Sequence, residues 1–190
     1  LYITTPEVSA ESAKVCGRIL LNNTLAEKTK VDVDYEVYGP DGEKVCGVTK
    51  KYKLDPSSAN VEFSEEFVVA SPKLWSPDTP QLYTLKTVVR NPKTGEIYDQ
   101  LSEHFGLRWY GFDPDKGFML NGEYLKLVGT NRHQCFKDKG WALDDSYHVN
   151  DIRMLKEMGG NFLRVAHYPQ DPTILKMCDK LGILTSVEIP

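Results

Sequence analysis

The stretch that decides the fold is GGNFLRVAHYPQDPTILKMCDKLGILTSVEIP, residues 159–190. The apolar residues Phe162, Leu163, Val165 and Ala166, interrupted by an arginine, predict a short strand that is buried on both faces. Asp171-Pro172 then predicts a helix start, with an aspartate N-cap and a proline at the first helical position. Gly182 fits the left-handed end of that helix, and residues 183–187 predict a second buried strand. Together these segments predict a strand–helix–strand unit with parallel strands.

Polar side chains stand where the two predicted strands end. Arg164 lies near the end of the first strand, His167 and Tyr168 follow it, and Glu188 follows the second strand. The carboxyl ends of parallel strands carry the functional groups in many α/β folds, so a binding site is one interpretation. A structural ion pair between Arg164 and Glu188, with His167 capping a loop, is the other. Spacing alone leaves both open.

The chain upstream of this stretch predicts a further hairpin, strand and helix. Residues 112–123 predict a hairpin with Asn121-Gly122 at its tip, because both central residues of a type I′ turn need positive φ. Residues 124–128 predict an apolar strand that leads into GTNRH at 129–133, and a polar loop with Trp141 follows. We expect Asp145 or Ser146 to cap a helix that runs to about Met158. The predicted apolar faces of the two helices comprise Ile152, Leu155 and Met158, and Ile174, Leu175, Cys178 and Leu181.

Residues 1–109 predict about seven strands with turn signals between them. Residues 1–4 predict an edge strand ended by Pro6, and residues 71–83 (SPKLWSPDTPQLY) predict a rigid extended crossover, since three prolines deny backbone donors. The number and spacing of the strands favour an immunoglobulin-like sandwich. The expected core and corner aromatic residues are Tyr35, Tyr38, Phe63, Trp75 and Tyr83.

Composition excludes some partners. The net charge is −4 without a basic run, so nothing indicates nucleic-acid binding, and no apolar run is long enough for a membrane span. Cys16, Cys46, Cys135 and Cys178 form no ligand motif, and no metal site is expected. The chain begins with leucine and stops directly after a strand, so we expect both ends to be cuts within a longer protein. The compartment stays unknown.

NFLRVAHYP, residues 161–169, resembles the signature of glycoside hydrolase family 2. LWSPDTPQLYTL at 74–85, FGLRW at 105–109 and the G-x-N-x-H pattern at 129–133 are similar to further runs of that family. The resemblance implies an all-β immunoglobulin-like sandwich at 1–109, followed by a truncated α/β (TIM-barrel) segment at 110–190. That segment would hold a hairpin and the first three strands and two helices of a (β/α)8 barrel.

The resemblance also implies a retaining glycosidase, whose mechanism needs two carboxyl groups about 5 Å apart. In this family both are glutamates after later barrel strands, the first preceded by asparagine. No Asn-Glu pair occurs in residues 1–190, and Glu188 follows Val187. We therefore assign no catalytic residue here, expect the acid/base and nucleophile downstream of Pro190, and expect the chain alone to be inactive.

The residues that the resemblance implies for substrate binding are His133, Arg164 and His167, which would hold sugar hydroxyls or active-site carboxylates. Asn131 would support its loop, and His104 and His148 would be surface or core bystanders. No cofactor is expected in this chain, although a divalent metal is left open for the full-length enzyme. The expected partner is a carbohydrate, without nucleic acid or membrane, and a homo-oligomer of the full-length protein is left open.

The resemblance favours a β-galactosidase that hydrolyses terminal β-galactosides. A β-glucuronidase or β-mannosidase of the same family is the alternative, because these enzymes share the motifs quoted above. A non-catalytic glycan-binding or structural sandwich module is a further alternative. The strand–helix–strand continuation argues against it, since such a module does not need buried parallel strands that end in arginine and histidine.

Overall fold

The computed structural model describes residues 1–189 and divides into two compact units. The first unit comprises residues 1–73 and 82–107, and the second comprises residues 74–81 and the chain from Arg108 onward. The sequence pattern placed residues 74–81 within the sandwich, whereas they belong to the second unit. Neither of the helices in residues 1–189 has the length and apolar character that a membrane span requires.

The first unit is the predicted sandwich of two antiparallel sheets, which confirms the immunoglobulin-like fold class. One sheet has the order β1-β2-β5 and the other β4-β3-β6-β7. Tyr35 of one sheet faces Phe67 of the other, with ring centroids 6.2 Å apart, so the core lies between the sheets. The strands are β1 Tyr2–Val8, β2 Ser12–Leu21, β3 Thr29–Tyr38, β4 Lys44–Leu54, β5 Val61–Ala70, β6 Tyr83–Arg90 and β7 Ile97–Phe105.

The edge strand β1 is longer than its sequence pattern predicts, because Pro6 does not end it. The register against β2 shifts between Thr4 and Glu7, which leaves Pro6 within the irregularity. A proline lacks the N–H that a regular ladder needs, but an edge strand accommodates it at a bulge. Pro6 therefore breaks the register and not the strand.

Residues 74–81, within the predicted crossover at 71–83, form no strand and bend at 77–79. Trp75 is buried in the second unit, where its Nε1 donates to the Asp179 carbonyl at 2.8 Å. The Asn121 amide donates to the Trp75 carbonyl at 3.0 Å, and Lys156 Nζ donates to the Pro77 carbonyl at 2.8 Å. Trp75 is a core residue, as expected, but it belongs to the second unit, since its hydrogen-bond partner lies far along the chain.

The second unit begins with an antiparallel meander and continues as alternating parallel strands and helices. Asn121 and Gly122 have φ of 53° and 87° and join β9 to β10, as their sequence predicts. The meander has the order β10-β9-β8, and the parallel sheet has the order β11-β12-β13. The elements are β8 Tyr110–Asp113, β9 Gly117–Leu120, β10 Glu123–Tyr124, β11 Gly129–Arg132, α1 Asp145–Glu157, β12 Phe162–Val165, α2 Pro172–Leu181 and β13 Leu184–Val187.

The first parallel strand starts later than predicted. Residues 125–128 lie outside the ladder, and pairing with β12 begins at Gly129 opposite Phe162. Two bonds of the Asn161 side chain replace the ladder there: its Oδ1 accepts from Val128 N at 2.8 Å, and its Nδ2 donates to the Lys126 carbonyl at 2.9 Å. The apolar pattern therefore predicts the strand too early, because the Lys126 carbonyl and the Val128 N–H bond a side chain and not a neighbouring strand.

Both helices pack one face on the parallel sheet. Two expected face residues are exposed instead: Met158 follows the end of α1, and Leu175 points outward from α2. The N-cap of α1 is Asp144, one residue before the predicted candidates. The shared core consists of Ile152, Leu155, Leu163, Val165, Ile174, Cys178 and Ile183.

Candidate functional site

Polar side chains converge at the carboxyl edge of the parallel sheet. Asn131 of β11 pairs in register with Arg164 of β12, so both side chains lie on one face of the sheet. Leu163 and Val165 point to the opposite face, where they pack in the helix–sheet core. The alternation of β12 therefore separates a buried apolar face from a face that presents Arg164.

Arg164 is the centre of these contacts. Its Nη1 donates to Asn131 Oδ1 at 3.3 Å, and its Nε lies 2.5 Å from Glu188 Oε1 in an ion pair. Nδ1 of His167 lies 3.0 Å from Glu188 Oε2 and 3.4 Å from Arg164 Nη2. It donates to the carboxylate when it carries a proton and accepts from the guanidinium when it does not.

His133 joins this group from the loop after β11. Its ring packs edge-on against the His167 ring, with centroids 5.1 Å apart. The structure thus brings together all three residues for which substrate binding was predicted, and we call Asn131, His133, Arg164, His167 and Glu188 the polar cluster. Its members remain accessible, since the side chains of Arg164 and His167 are 42% and 61% exposed.

The structural ion pair that the sequence left open is also present. Arg164 and Glu188 are in contact, and the Glu188 side chain is only 28% exposed. The two interpretations are compatible, because an ion pair at one side of the guanidinium fixes its direction and leaves other donors free. The role of these residues in substrate binding stays a prediction.

A buried network behind the cluster was missed at the sequence level. Arg132 is 7% exposed, and its Nε donates to Asp151 Oδ2 at 2.8 Å. Its Nη1 donates to Gln170 Oε1 at 2.7 Å, and its Nη2 lies 3.0 Å from His148 Nδ1. The available signal was strand alternation: with Asn131 and His133 on one face, Arg132 faces the helices, where burial requires a partner.

Gln170 connects this network to the backbone of the site. Its Nε2 donates to the carbonyls of Arg132 at 2.6 Å and Ala166 at 3.0 Å, next to the cis peptide bond between Ala166 and His167. Gln170 therefore holds together the ends of β11 and β12 at the residues that directly precede His133 and His167. The buried His148 serves this network, whereas His104 lies in the sandwich and bonds Thr84.

No metal centre is evident in the part of the chain that the structure describes. Among residues 1–189, no group of three or more His, Cys, Asp or Glu side chains is placed to hold a metal ion. The polar cluster is made of nitrogen donors around one carboxylate, which suits hydroxyl or carboxylate ligands. The divalent metal left open for the full-length enzyme stays a prediction.

Comparison with known families agrees with this geometry. The family model "Glycosyl hydrolases family 2" matches residues 1–108, and the model of the TIM barrel domain of that family matches residues 114–189. The chain belongs to glycoside hydrolase family 2. The resemblance seen in the sequence motifs is confirmed, and the parallel sheet is the start of the family's barrel domain.

Curated relatives and solved structures cover the whole chain. A beta-glucuronidase of Bacteroides fragilis is 36% identical over an alignment that covers all of this chain and 27% of the relative. Beta-galactosidase BoGH2A of Bacteroides ovatus is 31% identical over 98% of this chain and 22% of the relative. The crystal structure of a Bacteroides uniformis beta-glucuronidase is 43% identical with a TM-score of 0.96, over all of this chain and 23% of that one. The chain therefore spans roughly a quarter of these proteins.

Proposed function

We propose that this chain is part of a retaining β-glycosidase and that the polar cluster binds the terminal sugar of the substrate. The observation that carries the proposal is the convergence of His133, Arg164 and His167 at the accessible carboxyl edge of the sheet. A sugar hydroxyl both donates and accepts, so it needs neighbouring groups of both kinds. Arg164 supplies donors, Glu188 and Asn131 supply acceptors, and the imidazoles supply either.

Within this proposal the chain binds and orients the sugar but does not break the glycosidic bond. Retention needs an acid/base and a nucleophilic carboxylate about 5 Å apart. Glu188 is engaged by Arg164 and His167, which suits a group that positions donors. The catalytic glutamates are expected downstream of Pro190, and Arg164 would then fix a sugar hydroxyl or one of those carboxylates.

The terminal sugar has two candidates. The sequence motifs favoured a β-galactosidase, and beta-galactosidase BoGH2A supports that choice. A β-glucuronidase is supported by two relatives, of Bacteroides fragilis and Bacteroides uniformis, that match the full chain at higher identity. We propose both sugars as substrates to be tested in parallel.

The test is hydrolysis of para-nitrophenyl β-galactoside, β-glucuronide and β-mannoside by the complete protein that the gene encodes. We expect turnover of the galactoside or the glucuronide well above that of the other sugars. Proton NMR of the first product should show the β-anomer, since retention preserves the configuration. An initial α-anomer would overturn the retaining mechanism, and no turnover of any β-glycoside would overturn the proposed function.

A further inference from the structure

A stacked pair of aromatic side chains, one of which directly follows His167 in the chain, has no role in the proposed function. Trp141, in the loop between β11 and α1, stacks on Tyr168 with ring centroids 4.6 Å apart and 24° between the planes. Trp141 is 61% exposed, whereas Tyr168 is half-buried. We call these two residues the aromatic pair. A large apolar ring held this far in solvent contributes little to the core.

The position of the aromatic pair is fixed by the loops of the site. The Tyr168 hydroxyl accepts from the Gln134 backbone N–H at 3.1 Å, and Gln134 Oε1 accepts from Asp171 N at 2.7 Å. Tyr168 directly follows His167 in the chain, and Gln134 directly follows His133. The bond between Tyr168 and Gln134 therefore joins the two residues that directly follow the histidines of the polar cluster.

The loop has other anchors, so the aromatic pair is not needed to hold it. Phe136 packs edge-on against Tyr147 of α1, with ring centroids 5.0 Å apart. The Lys139 ammonium lies 5.2 Å from the centroid of the same ring, and Phe136 pairs with Gly140 across the loop. Trp141 directly follows this anchored turn and presents its ring to solvent.

We propose that Trp141 is the platform for the ring that follows the terminal sugar, the first unit of a glycan leaving group. This rests on the proposed function, in which the polar cluster holds the terminal sugar. A pyranose has an apolar face of C–H groups, and an indole ring is flat and apolar with a polar N–H at one edge. Tyr168 covers one side of the Trp141 ring and orients it, so that a sugar ring can stack on its exposed part.

The test compares two substrates of the complete protein that share the preferred terminal sugar. One is a disaccharide, whose leaving group is a second sugar ring, and the other is the methyl glycoside, whose leaving group has no ring. We expect Trp141→Ala to lower kcat/KM for the disaccharide about three- to tenfold, as the loss of one ring contact implies, and to change it less than about twofold for the methyl glycoside. Trp141→Phe should retain most of the disaccharide activity.

Equal losses on both substrates, or no loss on either, would overturn the platform. The control is Tyr98→Ala, because Tyr98 is an exposed tyrosine of the sandwich. This variant should change kcat/KM for neither substrate. Trp141→Leu, which keeps an apolar side chain in the loop, repeats the comparison if the alanine variant does not fold.

A wild-type protein that hydrolyses neither substrate overturns the proposed function instead. Titration with the disaccharide then tests the platform directly: a fluorescence change that is lost in Trp141→Phe supports it, and no change overturns it.

Discussion

Arg164 shows how the structure fixes the direction of a side chain that we propose for substrate binding. Its neighbours in β12 are buried against the helices, so the Arg164 side chain lies on the open face of the sheet. Asn131 of β11 and Glu188, which follows β13, contact it from both sides, so its direction is fixed before any ligand arrives. Side chains that are held in this way lose less conformational entropy on binding. The guanidinium fork, and not only its charge, should matter for the substrate.

We therefore predict that Arg164→Lys in the complete protein lowers kcat/KM for its aryl β-glycoside by about 10- to 100-fold, the loss expected for one hydrogen bond to or from a charged group. Lysine keeps the charge but lacks the planar fork. The matched control is Arg153→Lys, because Arg153 is an exposed arginine of α1 outside the polar cluster. Equal activity of both variants and the wild type would contradict a role for Arg164 in binding.

Cys178 gives a second prediction at this scale. It lies in the helix–sheet core, and burial raises the pKa of its thiol to about 12. Only the thiolate reacts rapidly with alkylating reagents, so native Cys178 should stay unmodified by iodoacetamide at pH 8, whereas the exposed Cys135 should react. Peptide mass spectrometry after timed labelling measures both sites. Modification of both cysteines at the same rate would mean that this core opens readily.

At the scale of elements, the two helices differ in their N-caps. The Asp171 carboxylate accepts from the Thr173 N–H at 2.8 Å, whereas Asp144 at the start of α1 makes no capping hydrogen bond through its side chain. We predict that Asp171→Ala lowers the free energy of unfolding by about 1 kcal/mol. Asp144→Ala is the matched control and should cost about half that or less. Urea unfolding followed by circular dichroism measures both, and equal costs would contradict the assigned cap.

The same cap predicts a pH dependence. The backbone N–H of Thr173 holds the pKa of Asp171 below its usual value. A lowered pKa in the folded state means that the stabilisation is complete above the ordinary carboxyl pKa of about 4 and is lost as the pH falls through the lowered value. The difference in unfolding free energy between the wild type and Asp171→Ala should be full at pH 7 and shrink below about pH 4. A difference that grows on acidification would contradict this sign.

Most elements could be predicted from local pattern, because alternation, helix caps and turn residues act over a few residues. The start of α2 at Asp171-Pro172, its end at Gly182 and the Asn121-Gly122 turn all follow such signals. The start of β11 does not, since it depends on the Asn161 side chain, 33 residues away from Val128. Contacts between distant residues override local apolar patterns there.

The same limit applies to the site. His133, Arg164 and His167 were identified from family motifs, and their mutual contacts were not available from spacing. Arg132 was missed because its partners on α1 and in the loop before α2 become neighbours only when the sheet forms. Trp75 was placed in the wrong unit for a similar reason, since its Nε1 bonds a residue 104 positions away.

At the scale of the whole molecule, the parallel sheet determines how the chain should behave in isolation. In the described residues β11 and β13 each pair only with β12, so both present an unpaired edge. Exposed apolar side chains lie on or near this sheet, among them Val128, Met154, Met158 and Val187. Unpaired edges next to apolar surface favour association between copies.

We accordingly predict that the 190-residue chain self-associates with increasing concentration in sedimentation-velocity experiments. Val187→Lys places a charge on β13 and should shift the chain towards monomer, while Val68→Lys, at an exposed position of the sandwich strand β5, should not. A monomer at all concentrations would contradict this prediction. The assembly of the complete protein is a separate question, which its own sedimentation would answer.

The most direct test of the central claim is to assay para-nitrophenyl β-glycosides with the complete protein and the 190-residue chain side by side. We predict turnover by the complete protein and none above background by the chain, since the proposed function gives the chain part of the sugar site without the two catalytic glutamates. Turnover by the chain alone that is lost in Glu188→Gln would contradict the claim, because Glu188 would then be a catalytic carboxylate and not a partner of Arg164.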